Sequence, residues 1–186
     1  VLCILIICTV SCIQRIIQVN LEAEPNNKAF SIVSMTLHDK ALAGAHDVEL
    51  SNNIAFVPGK GQSLSIIDIT NPQKPEILWY KNDPEIPDSE TVLPVGKHLL
   101  LGTRDFLSLD IKNPDNPVIL KKISDRPRID HINGMVKHGD YVFAASKSGW
   151  VDAFDVKDLN NPELFGVIET RKQFNITKPH DIDIFK

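Results

Sequence analysis

Beyond Cys12 the 186-residue chain has no cysteine: Cys3, Cys8 and Cys12 are the only three. The rest of the chain therefore carries no disulfide framework, thiol nucleophile or cysteine metal site. Basic tracts are missing too. Its 20 Lys and Arg are outnumbered by 24 Asp and Glu, a net charge of −4 that argues against a nucleic-acid partner. No P-loop, no Gly-x-Gly-x-x-Gly and no Gly-x-Ser-x-Gly occurs, so nucleotide-binding and serine-hydrolase readings lack their motifs. What is present is an ordinary globular balance, 42% hydrophobic and 24% charged. That balance excludes disorder, collagen-like repeats and a multi-span membrane protein. The length suits one domain and is enough to bury a core without disulfide staples.

The first residues, Val1 to Ile13, are an apolar run broken by Gln14 and Arg15. At about a dozen residues it has the length of a signal-peptide core and falls short of the ~20 a membrane-spanning helix needs. Residues 1–19 are expected to be a signal peptide or an N-terminal anchor, with 20–29 as linker. Thr9-Val10-Ser11-Cys12 resembles a bacterial lipoprotein cleavage site, which makes Cys12 the lipidation candidate. The expected location is periplasmic, extracellular or cell-surface, with the membrane touched only through this segment. The far end, His180 to Lys186, alternates like a strand with no turn after it, so a longer natural chain is expected.

An internal repeat decides the fold class. Leu64-Ser65-Ile66-Ile67-Asp68, Phe106-Leu107-Ser108-Leu109-Asp110 and Val151-Asp152-Ala153-Phe154-Asp155 align without a gap. Each Asp precedes a β-branched residue, and each has a proline seven positions on: Pro75, Pro117 and Pro162. The aspartates are 42 and 45 residues apart. Around each lie four short apolar segments separated by polar or Gly- and Pro-bearing turns, the pattern of an all-β fold. Four strands per 42–45 residues is the period of a β-propeller blade. Blades are expected at about 46–82, 91–124 and 131–170, with another starting at 179 and a lone strand near Phe30–Met35. That makes an incomplete propeller over 30–186. Asp68, Asp110 and Asp155, with their prolines, read as structural: such side chains bond amides two residues on and pin turns.

The pentapeptides ending in Asp, followed by Asn71-Pro72 and Pro75 or by Asn113-Pro114 and Pro117, resemble the LVIVD repeat family. The third copy departs from the pattern with Leu159 in place of the first Pro. The resemblance implies exported or surface bacterial β-propeller proteins. It implies no catalytic signature, and a fold alone does not give a function.

Chemistry gathers at the starts of the first strands. Ala45-His46-Asp47-Val48 matches Pro179-His180-Asp181-Ile182, and counting back from the second strands puts Thr91 and Asn133 in the place of His46. Glu90 lies one residue before Thr91 and His131 two before Asn133. If the first strand is innermost, His46, Asp47, Glu90, His131, His180 and Asp181 are candidates for one ligand or metal site at the channel mouth. Imidazoles with carboxylates suit a divalent Zn, Fe, Mn or Cu ion, or acid–base chemistry near neutral pH. Small-residue-or-Pro then His-Asp also resembles the Pro-His-Gly of paraoxonase and gluconolactonase propellers, which hold calcium, with Asp47 and Asp181 replacing the glycine. Two functions are carried forward. One is a non-catalytic binding or interaction module, taking a protein or small molecule at one propeller face. The other is a metal-dependent lactonase- or esterase-like hydrolase, or an oxidase, with a His-lined channel.

Overall fold

The computed structural model describes residues 2–10, 13–21 and 31–185. Cys12 and most of the expected linker lie outside the described residues. The chain near its start pairs as an antiparallel sheet of β1 (Leu2–Val10), β2 (Ile13–Leu21) and β3 (Ser31–Leu37). Three four-stranded sheets follow. The first holds β4 (Glu49–Ser51), β5 (Ile54–Gly59), β6 (Ser63–Asp68) and β7 (Glu76–Asn82). The second holds β8 (Thr91–Val95), β9 (His98–Gly102), β10 (Phe106–Asp110) and β11 (Val118–Ile123). The third holds β12 (Ile132–His138), β13 (Tyr141–Ser146), β14 (Trp150–Asp155) and β15 (Glu163–Glu169), before a short helix α1 (Thr170–Phe174). In each, strands neighbour in chain order and pair antiparallel. Among the described residues no helix is long and apolar enough to cross a membrane.

The repeat residues explain why the chain folds this way three times. Asp68 Oδ1 accepts from Thr70 N at 2.7 Å, Asp110 Oδ1 from Lys112 N at 2.8 Å, and Asp155 Oδ1 from Lys157 N at 3.0 Å. Asn71, Asn113 and Asp158 then cap the amides of Gln73, Asp115 and Asn160 in the same manner. These bonds offer the backbone a turn in place of a ladder. Pro75, Pro117 and Pro162 each stand one residue before the fourth strand, where a missing N–H costs no ladder bond. The turn from first to second strand needs a positive φ, and it is met by Asn52 (54°), Gly96 (61°) and Gly139 (58°). One device recurs that no residue pattern advertises. The third and fourth strands slip register at Ile66/Ile67, Ser108/Leu109 and Ala153/Phe154, a bulge at the same place in every sheet.

In the first two sheets the second and third strands are covered on both faces, so their burial is nearly continuous, whereas β14 of the third sheet alternates. Phe56, Leu64, Ile66, Leu99, Leu101 and Leu109 form the core between the first and second sheets, with Ile86 from the loop between them. Leu100, Phe106, Val142, Ala144 and Phe154 form the next, with Ile129 in the corresponding loop position. Each fully buried Leu or Phe contributes about 1.5–3 kcal/mol. The sheets therefore hold each other face to face, with β8 lying between β4 and β12.

Candidate functional site

The hydrogen bonds set the register at the site. Ile54, His98 and Tyr141 stand opposite the three repeat aspartates. His46 N donates to Pro58 O and Glu90 N to Gly102 O, both at 2.9 Å. Glu90, not Thr91, therefore occupies the place of His46, which corrects the count from sequence by one residue. The error came from His98, whose polarity suggests a turn but which is the first residue of β9. The second and third strands are also one residue shorter each in the middle repeat, while the turn joining them has the same length in all three sheets. In β12 a bulge sets Asn133 out of the ladder, between Ile132 and Gly134.

Glu90 is the hub. It stands just before the second sheet and is 1% exposed, yet its carboxylate is reached by groups belonging to the first and third. His131 Nδ1 lies 2.9 Å from Oε1, and Lys147 Nζ donates at 3.2 and 2.8 Å to Oε1 and Oε2. Asn133 Nδ2 donates to Oε2 at 2.5 Å, and Lys60 Nζ approaches it at 3.5 Å. His46 Nδ1 donates to the Glu90 carbonyl oxygen at 2.9 Å, which leaves Nε2 facing the carboxylate at 3.9 Å. Burial pushes the Glu90 carboxyl up, but the bonds from Lys147 and His131, with the charge of Lys60, hold it below the usual carboxylate range. His131 sits at φ 56°, a left-handed conformation that His tolerates better than most residues and that these contacts hold in place.

A second row lies one residue further along. Asp47 Oδ1 caps Val48 N at 2.8 Å while its Oδ2 accepts from Thr91 Oγ1 of the next sheet at 3.1 Å. Asp181 repeats the first of these bonds, to Ile182 N at 2.8 Å. His180 Nδ1 lies 3.5 Å from Asn133 Nδ2. The segment from Pro179 thus runs beside β12 as β12 runs beside β8. Gly134 permits it: a Cβ there would come within 2.6 Å of Asp181 Oδ1 and 2.8 Å of Asp181 Cα. Gly134→Ala is therefore expected to lift this segment. Amide exchange at Ile182 should quicken at least tenfold while β13 and β14 keep their protection.

Between the rows is a polar cleft of about 320 Å³, lined by His46, Asp47, Glu49, Asn133, His180 and Asp181, among others. All six candidate residues meet at this place, five lining the cleft and His131 behind Glu90. Among the described residues no three His, Cys, Asp or Glu side chains are grouped to hold a metal ion. Glu90 in particular spends its lone pairs on Lys147, His131 and Asn133. What remains free toward the cleft is mostly acceptor. Asn133 Oδ1 is buried without a partner, and Glu49 is pushed up by burial and then by the charge of Asp47. Lys60 and Lys147 escaped the sequence reading. Their signal is a lysine between small residues, Gly59-Lys60-Gly61 and Ser146-Lys147-Ser148, just after an apolar second strand.

Fold and site together define a repeat protein of four-stranded antiparallel sheets whose first strands assemble a polar cleft. More particularly, residues 44–79 match the family model described as LVIVD repeat. That match runs through the first sheet, from beside His46 to Trp79. Among solved structures of similar fold is a crystal structure of a protein from Lactobacillus plantarum. It aligns at a TM-score of 0.73 and 9% identity, over 90% of this chain and 53% of that one. The likeness is one of fold, and this chain spans about half the length of that structure. No curated protein matches the sequence.

Proposed function

We propose that the three four-stranded sheets are consecutive blades of a β-propeller, and that the chain is a non-catalytic binding module whose ligand seat is the cleft beside Glu90. Support for the blades comes from the repeat period, the recurring bulge and the side-by-side first strands. The observation that carries the binding reading is the cleft's imbalance of polar groups. No lysine lines it, Lys60 and Lys147 standing behind it on Glu90, while Asp47, Glu49, Asp181 and Asn133 line it as acceptors. A ligand presenting hydrogen-bond donors and positive charge complements that set. Export, with Cys12 as a lipid attachment point, is part of the same proposal and rests on the apolar N-terminal run.

The test is calorimetric titration of the exported protein with putrescine as a dicationic probe, alongside metal content by mass spectrometry. Wild type should bind the diamine saturably, and Asp47→Asn/Asp181→Asn should weaken it at least tenfold. A stoichiometric metal that disappears in His46→Ala/His180→Ala would instead overturn this reading in favour of the metal-dependent hydrolase or oxidase. Absence of both responses would remove the cleft as a ligand seat.

A further inference from the structure

A second cavity, of about 580 Å³, opens at the outer edge between the first and second sheets. Its floor is Leu64, Ile86, Leu109 and Ile119, Trp79 forms a wall, and Lys81 and Lys122 stand at the rim with Glu85. The repeat says why it exists. Leu64 lies four residues before one repeat aspartate, and Leu109 one residue before the next. The same two positions between the second and third sheets are Phe106 and Phe154. There the two rings stack, with centroids 3.9 Å apart and planes 14° from parallel, and both are fully buried. One interface is thus closed by an aromatic pair. Its neighbour carries two smaller leucines and an opening above them.

We infer that the cavity between the first two sheets is a binding site for a small aromatic anion. Leu64 and Leu109 are themselves buried, so a planar ring would lie above them, against Trp79, Val118 and Ile119, in the space left where the adjacent interface carries the bulkier phenyl pair. The volume and the mostly apolar lining are those of a small-molecule pocket. The rim supplies the charge preference. An ammonium has three N–H donors. Lys81 gives one to Glu85, and Lys122 gives one to Asp105 at 2.8 Å, leaving two on each for a ligand's carboxylate or sulfonate. The site is distinct from the Glu90 cleft and shares no lining residue with it.

The test uses two fluorescent probes that differ by one sulfonate group: 8-anilinonaphthalene-1-sulfonate and its neutral analogue N-phenyl-1-naphthylamine. The wild-type chain should bind the sulfonate at one saturable site, at least fivefold tighter than the neutral probe. Energy transfer from Trp79 should disappear in Trp79→Phe. Leu64→Phe/Leu109→Phe, which rebuilds the neighbouring aromatic pair, should weaken both probes at least tenfold while the melting temperature holds or rises. Should that variant fail to fold, Lys81→Gln/Lys122→Gln is the second arm, because it leaves the apolar lining untouched and Arg126 stays beside Asp105 when Lys122 is neutralised. It should abolish the preference for the sulfonate and leave the neutral probe unaffected. Equal binding of the two probes by wild type would overturn the inference. So would undiminished binding in the folded phenylalanine variant.

Discussion

Replacing Glu90 by alanine is expected to cost the chain about 3–5 kcal/mol of stability, the range for removing one partner of a buried charge cluster. On the scale of a domain this size, that lowers the melting temperature by roughly 10–15 °C. The reason is what the carboxylate leaves behind. Lys147 and Lys60 would face each other across a vacated, water-poor site, and His131 and Asn133 would lose their acceptor. Glu90→Gln should cost less, because the amide oxygen still accepts one bond, but its NH2 group would point at a lysine ammonium. Lys147→Met should recover part of the loss in the Glu90→Ala background, since it removes the uncompensated charge. Urea unfolding of the four variants as a double-mutant cycle measures that coupling. The pH dependence has a fixed sign. The folded-state carboxyl lies below its unfolded value, so this contribution is full above the ordinary carboxylate range and is lost as pH falls through the depressed folded value. An alanine variant whose melting temperature matches wild type at neutral pH would mean that the cluster does not hold the sheets together.

How much of this was legible in the amino-acid order depends on the range of the interaction. The repeat aspartates and prolines act within a few residues, through Asx bonds and a fixed φ, so their pattern reports the turns directly. The apolar second and third strands of the first two sheets are similarly visible, because both faces are covered. Convergence of His46, Glu90, His131 and His180 could be foreseen from the repeat, since equivalent positions on neighbouring strands lie side by side. Their roles could not. Whether Glu90 serves as a ligand or as an anchor is decided by Lys60 and Lys147, which reach it from turns distant in sequence. The one-residue error at Thr91 has the same origin. A polar His98 reads as a turn residue until its partner Asp110 shows that it begins a strand. The bulges are less visible still, because they arise from how the fourth strand meets the third and leave no mark in residue type.

Asp152→Asn is expected to stabilise the protein at neutral pH, by about 3 kcal/mol. The residue lies three positions before a repeat aspartate, where the other two copies have Ser65 and Leu107. Its side chain faces the second sheet and is 0% exposed. Ser146 Oγ donates to its Oδ2 at 3.0 Å, and Arg128 Nε stands 3.6 Å from its Oδ1 without bonding it. Burial pushes the carboxyl up to about 6; the Ser146 bond and the Arg128 charge lower it only in part, and Asp125 adds to the rise. A folded value raised above the unfolded one, near 3.9, favours the neutral acid. Stability from this group is therefore fully present below about pH 4 and is lost as pH rises through about 6. Two pK units correspond to about 3 kcal/mol. An asparagine keeps the acceptor for Ser146 and carries no charge at any pH, so it escapes the loss. Wild type should then melt highest below about pH 6 and above the depressed Glu90 value, where Asp152 is largely neutral and Glu90 is ionised. The variant should hold its stability from there to pH 8 and lie about 6–12 °C above wild type at the alkaline end. Parallel melting curves for the two proteins across pH 4–8 would show instead that Arg128 already compensates the buried charge. The acid limb, where Glu90 and the turn aspartates Asp68, Asp110 and Asp158 with their lowered carboxyls take up protons, should be the same in both proteins. That separates Asp152 from Glu90 by the sign of their pH dependence as well as by their place in the fold.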